Sequence, residues 1–239
     1  MCALAAAGFA AYSINYTLGV PNDPATKWPA QWQDCECFLK FLAEQAGVSV
    51  PGNPGRIYIF GHSAGGHLAA MMTLVPHDAF PTNCSHTSTN YSVRATMLFS
   101  PPLDLRTLYM GSPAKGIQGG IFNLLGCVPS AWASDSCVDV AVSANPATYV
   151  APGQPPILVE TGQGDTNVMY HFQGSLQTSY AALSPPVVAR WKVFPTAYTH
   201  DLDLFYFNPC SSNPEGPSPS PCGSAGKAYA DLIAFFCSH

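Results

Sequence analysis

Arg56-Ile57-Tyr58-Ile59-Phe60-Gly61-His62-Ser63-Ala64-Gly65-Gly66-His67 is the stretch that decides the fold of this 239-residue chain. Four apolar residues in succession after Arg56 suit a strand buried on both faces of a parallel sheet. Residues 67–74 (HLAAMMTL) read as a helix. Between the two lies Gly61-His62-Ser63-Ala64-Gly65, which matches G-x-S-x-G in the strand-turn-helix setting that this motif requires. A turn that sharp leaves no room for side chains on either flank, hence the glycines. It lifts Ser63 into the cleft at the carboxyl ends of the strands. The first amides of the following helix, with the positive end of its dipole, then lie close to a reacting carbonyl.

Outward from this point, strand signals alternate with helix signals. Apolar, β-leaning runs occupy residues 9–16 (FAAYSINY), 56–60, 93–100, 155–161 and 187–194. Helices are expected over 31–46, which Gly47 ends, and over 170–182 and 225–236. Such alternation predicts an α/β fold, a mostly parallel sheet with helices on both faces. Residues 104–144 break the rhythm, being irregular and rich in Gly and Ser, and read as an insertion over the end of the sheet. With no internal repeat and no dividing linker, residues 1–239 are expected to form one domain.

A serine hydroxyl is a weak nucleophile until an imidazole takes its proton, and that imidazole needs an acid to orient it. In a sheet of this kind the chain order is Ser, then Asp or Glu, then His. Asp165 follows the PPILVET strand in Thr161-Gly162-Gln163-Gly164-Asp165, and His200 follows the ARWKVF strand by a few residues. Both fall at carboxyl ends of strands, in the right order. The rival acids are Asp104, kept as the fallback because it follows an earlier strand, and Asp201 and Asp203 beside His200. The remaining histidines (62, 67, 77, 86, 171 and 239) read as surface or structural. Trp32 reads as core, while Trp132 and Tyr198 are left between core and cleft.

Composition narrows the class. Apolar residues make up 47% and charged residues only 10%, which excludes a disordered chain. No apolar run reaches the ~18 residues that span a bilayer. The net charge of −5 leaves no basic patch to neutralise phosphates, which argues against nucleic acid as a partner. Nine cysteines with 23 prolines favour a secreted protein, although an odd count leaves at least one thiol unpaired. Cys127/Cys137 and Cys210/Cys222 each bracket a short Pro/Ser-rich stretch as plausible loop staples. Cys35 and Cys37 point to different faces of the first helix, a poor chelate, and no zinc spacing occurs. Sequons stand at Asn15, Asn83 and Asn90, with Asn15 expected to stay unmodified inside a strand-like run. Residues 1–9 lack the positive start of a signal peptide.

GHSAGGHLAAMM, the upstream AAAGFAAYSINYTLG and PAQWQDCECFLKFL, and the downstream NPATYVAPGQPPILVETGQGD resemble the α/β-hydrolase superfamily. The branch they resemble is that of the carboxylesterases that include feruloyl and acetyl-xylan esterase-like enzymes and the kynurenine formamidases. The resemblance runs from Ala5 to about Asp203. It implies Ser63 as nucleophile, Asp165 as orienting acid, His200 as general base and the backbone N–H of Ala64 as one oxyanion-hole donor, with no metal or organic cofactor. The implied substrate is a small-molecule or polysaccharide-linked ester. Two departures stand out. The family often reads Tyr-Arg-Leu where this chain has Tyr16-Thr17-Leu18. The family's second oxyanion donor comes from a His-Gly-Gly-Gly-type loop that does not occur here. Its strands and loops would occupy at least about 40–50 further residues, so the N-terminal part of the fold is expected to be missing from this chain. Losing that donor would lower the rate roughly 10²–10³-fold. Two alternatives to the esterase stay open: an arylformamidase-type amidase, because the kynurenine formamidases share a very similar GHSAG-HLA elbow, and, because of the missing loop, a catalytically impaired fragment acting as a binding module. The loops at 104–144 and 208–223 are expected to shape the acyl and alcohol pockets.

Overall fold

The run after Arg56 forms β1 (Ile57–His62), and the turn at Ser63 leads at once into a helix, α2 (Ala64–Leu74). These elements belong to a computed structural model that describes residues 4–5, 7–127, 135–183, 189–194, 199–200 and 231–239. Before them comes α1 (Ala30–Gln45); after them come β2 (Val93–Phe99), α3 (Leu105–Gly111), α4 (Lys115–Leu125) and α5 (Asp135–Ser143). Then follow β3 (Ile157–Gly162), α6 (Gly174–Ala181), β4 (Ala189–Phe194) and a terminal helix, α7, over 231–237. Among the described residues the sheet has four strands in the order β1-β2-β3-β4, and every pair is parallel. The α/β fold read from the sequence is thus present. Its strand boundaries agree to within two residues at either end.

Alternation along the strands builds two cores. Ile59, Leu98, Ile157 and Val159 face the cluster that holds α1 and α2, while Tyr58, Met97, Phe99 and Leu158 face Phe235 and Phe236 of α7. This is the period of two expected of strands covered on both sides. Helix α2 is buried around most of its circumference, since every residue from Gly66 to Leu74 is buried. A helix apolar all round belongs inside; α2 is wedged between the sheet and α1. On α1 the buried positions Trp32, Cys35, Leu39 and Leu42 recur at three- and four-residue spacing and form one stripe toward α2. Trp32 is completely buried, as expected of core.

Three expectations need correction. Residues 9–16 form no ladder among the described residues. Together with Leu39, Tyr58 and Met72, residues Phe9, Tyr12 and Ile14 line a cleft of about 1,210 Å³ beside β1, and the Phe9 ring packs edge-on against Tyr58 at 5.7 Å. The strand-based reason for discounting Asn15 goes with that, and Asn15, Asn83 and Asn90 are all exposed. The stretch 104–144 is not irregular: it contains α3, α4 and α5, with Gly126 ending α4 in the left-handed conformation at φ 74°. Finally, Cys37 is bonded to Cys84, a pairing absent from the sequence reading, whereas Cys127–Cys137 is the staple expected. Cys210, Cys222, Trp132, Tyr198, Asp201, Asp203 and the loop 208–223 lie outside the described residues. No helix among those described is long and apolar enough to cross a membrane.

Candidate active site

Ser63 owes its position to two glycines that act differently. A Cβ on Gly61 would stand 2.2 Å from the Gly65 carbonyl oxygen and 2.8 Å from the Gly66 nitrogen, so only glycine lets β1 run this close to the first turn of α2. A Cβ on Gly65 would meet nothing within 4 Å. A side chain at the motif's second glycine is therefore not excluded by its surroundings, contrary to the expectation that both flanks are too tight. Ser63 itself has φ 52° and ψ −122°, a conformation that L residues rarely adopt and that clusters at functional sites. Two backbone bonds hold it there: its N–H donates to the Phe99 carbonyl at 2.9 Å, and its carbonyl accepts from His67 N–H at 3.0 Å. The N–H of Ala64 opens α2, where helix amides have no acceptor inside the helix.

Asp165 stands three residues past the end of β3 and is 2% exposed. Its Oδ1 accepts from the backbone N–H groups of Asn167 and Val168 at 2.9 and 2.8 Å. Its Oδ2 faces His200 Nδ1 at 2.8 Å. A carboxylate already accepting two amides only accepts, so the proton of this contact sits on Nδ1. That leaves Nε2 as the basic nitrogen, and it lies 2.8 Å from Ser63 Oγ. The structure thus brings together the three residues that the sequence analysis picked, in one line from buried carboxylate to hydroxyl. It does not bring in Asp104. That side chain caps α3, accepting from Thr107 N–H at 2.9 Å.

A further histidine, one that the sequence suggests is surface or structural, belongs to this neighbourhood. His62 Nε2 lies 2.7 Å from the backbone carbonyl of His200, and the two rings are 4.8 Å apart. No spacing in the sequence announces a contact between positions so far apart. His67, by contrast, is the structural histidine expected: fully buried, it donates from Nε2 to the Ala144 carbonyl at 2.7 Å, and burial pushes its pKa down to about 4.

Glu160 lies on β3 ahead of Asp165 and is completely buried. Burial pushes its carboxyl up to about 8; Asp231 adds to the rise and Lys192 Nζ, 3.7 Å away, opposes it. These groups border a second cleft of about 680 Å³ between β3, β4 and α7. Neither cleft has Ser63 in its wall. Among the described residues no group of three or more His, Cys, Asp or Glu side chains is placed to hold a metal.

The model of the family described as BD-FAE matches residues 1–180, three quarters of the chain, and so takes in Ser63 and Asp165 but stops short of His200. No curated protein matches the chain. Among solved structures it is similar to a truncated form of a carbohydrate esterase from gut microbiota, at 19% identity and a TM-score of 0.65, covering 95% of this chain and 72% of that one. It is also similar to a carboxylesterase from Lactobacillus plantarum (17%, TM-score 0.64, 94% and 72%). Esterase B from Lactobacillus rhamnosis aligns at 17% identity and a TM-score of 0.63, covering 89% of this chain and 61% of that one. At these identities the likeness is one of fold, and the chain spans between three fifths and three quarters of these neighbours' lengths.

Proposed function

The chain belongs to the BD-FAE family, and from that premise we propose that it hydrolyses carboxylic esters through an acyl-enzyme on Ser63. The observation that carries this reading is the unbroken line Ser63 Oγ, His200 Nε2, His200 Nδ1, Asp165 Oδ2, with both hydrogen-bond distances at 2.8 Å. In the first half-reaction Ser63 Oγ attacks the ester carbonyl carbon while its proton passes to His200 Nε2. The imidazolium so formed is stabilised by Asp165, whose own orientation is set by the Asn167 and Val168 amides. The tetrahedral oxyanion is met by the Ala64 N–H at the start of α2, where the dipole also favours negative charge. Collapse expels the alcohol, which takes the proton from Nε2. Water then gives its proton to the same nitrogen and attacks the acyl carbon, releasing the acid and restoring the Ser63 hydroxyl.

The structural neighbours named for carbohydrate-linked and simple esters support a small-molecule or polysaccharide-linked ester as the substrate class. Two disulfides, Cys37–Cys84 and Cys127–Cys137, support an oxidising, extracellular compartment. The test is a fluorophosphonate probe with p-nitrophenyl acetate turnover. Wild type should label and hydrolyse; Ser63→Ala should lose labelling and fall by roughly 10⁶-fold in kcat, and Asp165→Asn by about 10⁴-fold. Labelling of Ser63→Ala at the wild-type rate would overturn the assignment. Faster turnover of N-formylkynurenine than of the acetate would replace the esterase by the amidase.

A further inference from the structure

The triad reading leaves one question open, which is what holds the His200 backbone. His200 stands six residues beyond Phe194, the last residue of β4, so no ladder bond of the sheet fixes it. Its side chain is held at both nitrogens, but one of those bonds is consumed in each turnover. Once Ser63 Oγ is acylated, Nε2 must swing its attention to the leaving alcohol and then to water. Only the Asp165 hydrogen bond then remains on the ring, and a single hydrogen bond leaves a ring able to pivot about it.

We propose that His62, the residue between Gly61 and the nucleophile, is a positioning residue that fixes His200 through its backbone. The acceptor at 2.7 Å is a carbonyl oxygen, so His62 Nε2 carries the proton and donates it. His62 ends β1 and is paired in register with Phe99 of β2, so the donor is mounted on the sheet itself. Its ring also lies against the His200 ring at 4.8 Å with a 48° tilt, limiting sideways travel. The arrangement gives His200 two anchors on different elements, Asp165 after β3 and His62 on β1. Both persist while Nε2 is exchanging partners. The same two-residue unit, His62-Ser63, therefore places the nucleophile and the base that serves it, which couples their separation to one strand end. Displacement of a catalytic group by about 1 Å costs on the order of 100-fold in rate, so a tether of this kind has a large effect to exert.

This inference rests on the triad reading, and the experiment separates the two. Three variants of the full chain discriminate the donor from the ring. His62→Phe keeps a ring and removes the donor. His62→Asn has an amide too short to reach as far as Nε2. His62→Gln carries its amide N–H at about the distance of Nε2. With p-nitrophenyl acetate, the Phe and Asn variants should lose ~10- to 100-fold in kcat with KM and the melting temperature little changed, and Gln should recover to within about 3-fold of wild type. Wild-type kcat in the Phe and Asn variants would overturn the proposal. So would loss of activity in all three variants in step with a falling melting temperature, which marks a packing role. Ser63→Ala, run alongside, reports on the triad alone: if it still labels with the fluorophosphonate, the triad reading fails whatever His62 does.

Discussion

Ser63 is held at φ 52°, in a region where a non-glycine residue is strained by about 1–3 kcal/mol. The two backbone bonds to Phe99 and His67 offset that strain, so the residue four positions into the motif's helix supports the nucleophile as well as the core. His67 also gives a pH dependence whose sign can be worked out. Its folded pKa of about 4 lies below the ordinary histidine value, so the unfolded chain binds a proton that the native state refuses. Stability should therefore be full above about pH 6.5 and fall as the pH drops toward 4, by up to roughly 3 kcal/mol. His67→Gln, which keeps an N–H near the Ala144 carbonyl but cannot ionise, should flatten that slope. Melting temperatures of both proteins between pH 7 and 4 check it, and parallel curves would count against the assignment. At this scale the sequence told much about side chains whose partners follow chain order, Ser63, Asp165 and His200. It told nothing about His62, whose partner is a carbonyl, a group that every residue carries.

At the scale of elements, the strand-turn-helix at the nucleophile depends on backbone contact, and its two glycines should respond oppositely to the same substitution. Gly61→Ala places a methyl within 2.2 Å of the Gly65 oxygen and must part β1 from α2; it should prevent folding or cost several kcal/mol, in the range of about 1–3 kcal/mol or more known for overpacking. Gly65→Ala meets open space inside a helix and should be neutral or stabilising by up to about 1 kcal/mol. Denaturant unfolding of the two variants reads the difference directly. The same contrast explains what the sequence could and could not disclose. β2 and β3 were legible because the buried run Ala95–Phe99, but for Thr96, and the buried Ile157–Val159 are apolar in succession, as strands covered on both faces are, and β1 and β4 because apolar and aromatic residues dominate them even where Arg190, Lys192 and Val193 meet solvent. α3, α4 and α5 were not, because Gly116, Gly119 and Gly120 lie within α4 itself and lower its helical signal, while burial of Leu105, Leu108, Ile121 and Leu125 against the main core supplies the stability that propensity does not. Residues 9–16 failed for the converse reason: an apolar, β-leaning run still needs a neighbouring ladder before it is a strand.

At the scale of the whole molecule, two disulfides among the described residues tie surface segments to the helices. Cys37–Cys84 closes a span of 47 residues and clamps the segment before β2 onto α1, where Glu44 also accepts from the Thr87 and Ser88 amides. Cys127–Cys137 closes only 10. Chain-entropy reasoning gives about 4 kcal/mol for the first and about 3 kcal/mol for the second. Replacing Cys37 and Cys84 together by serine should therefore lower the melting temperature more than replacing Cys127 and Cys137, and calorimetry of the two double variants tests the order. Cys35, two residues from Cys37, stays a thiol, its pKa pushed up to about 12 by burial with Asp34 and Glu36 adding to the rise, so it does not compete for the bridge. The cleft beside β1 reaches furthest beyond the molecule. Among the described residues β1 carries a ladder on one side only, and a strand edge of that kind is a template for another chain, so light scattering that rises with protein concentration is the expected outcome and a flat trace would count against it.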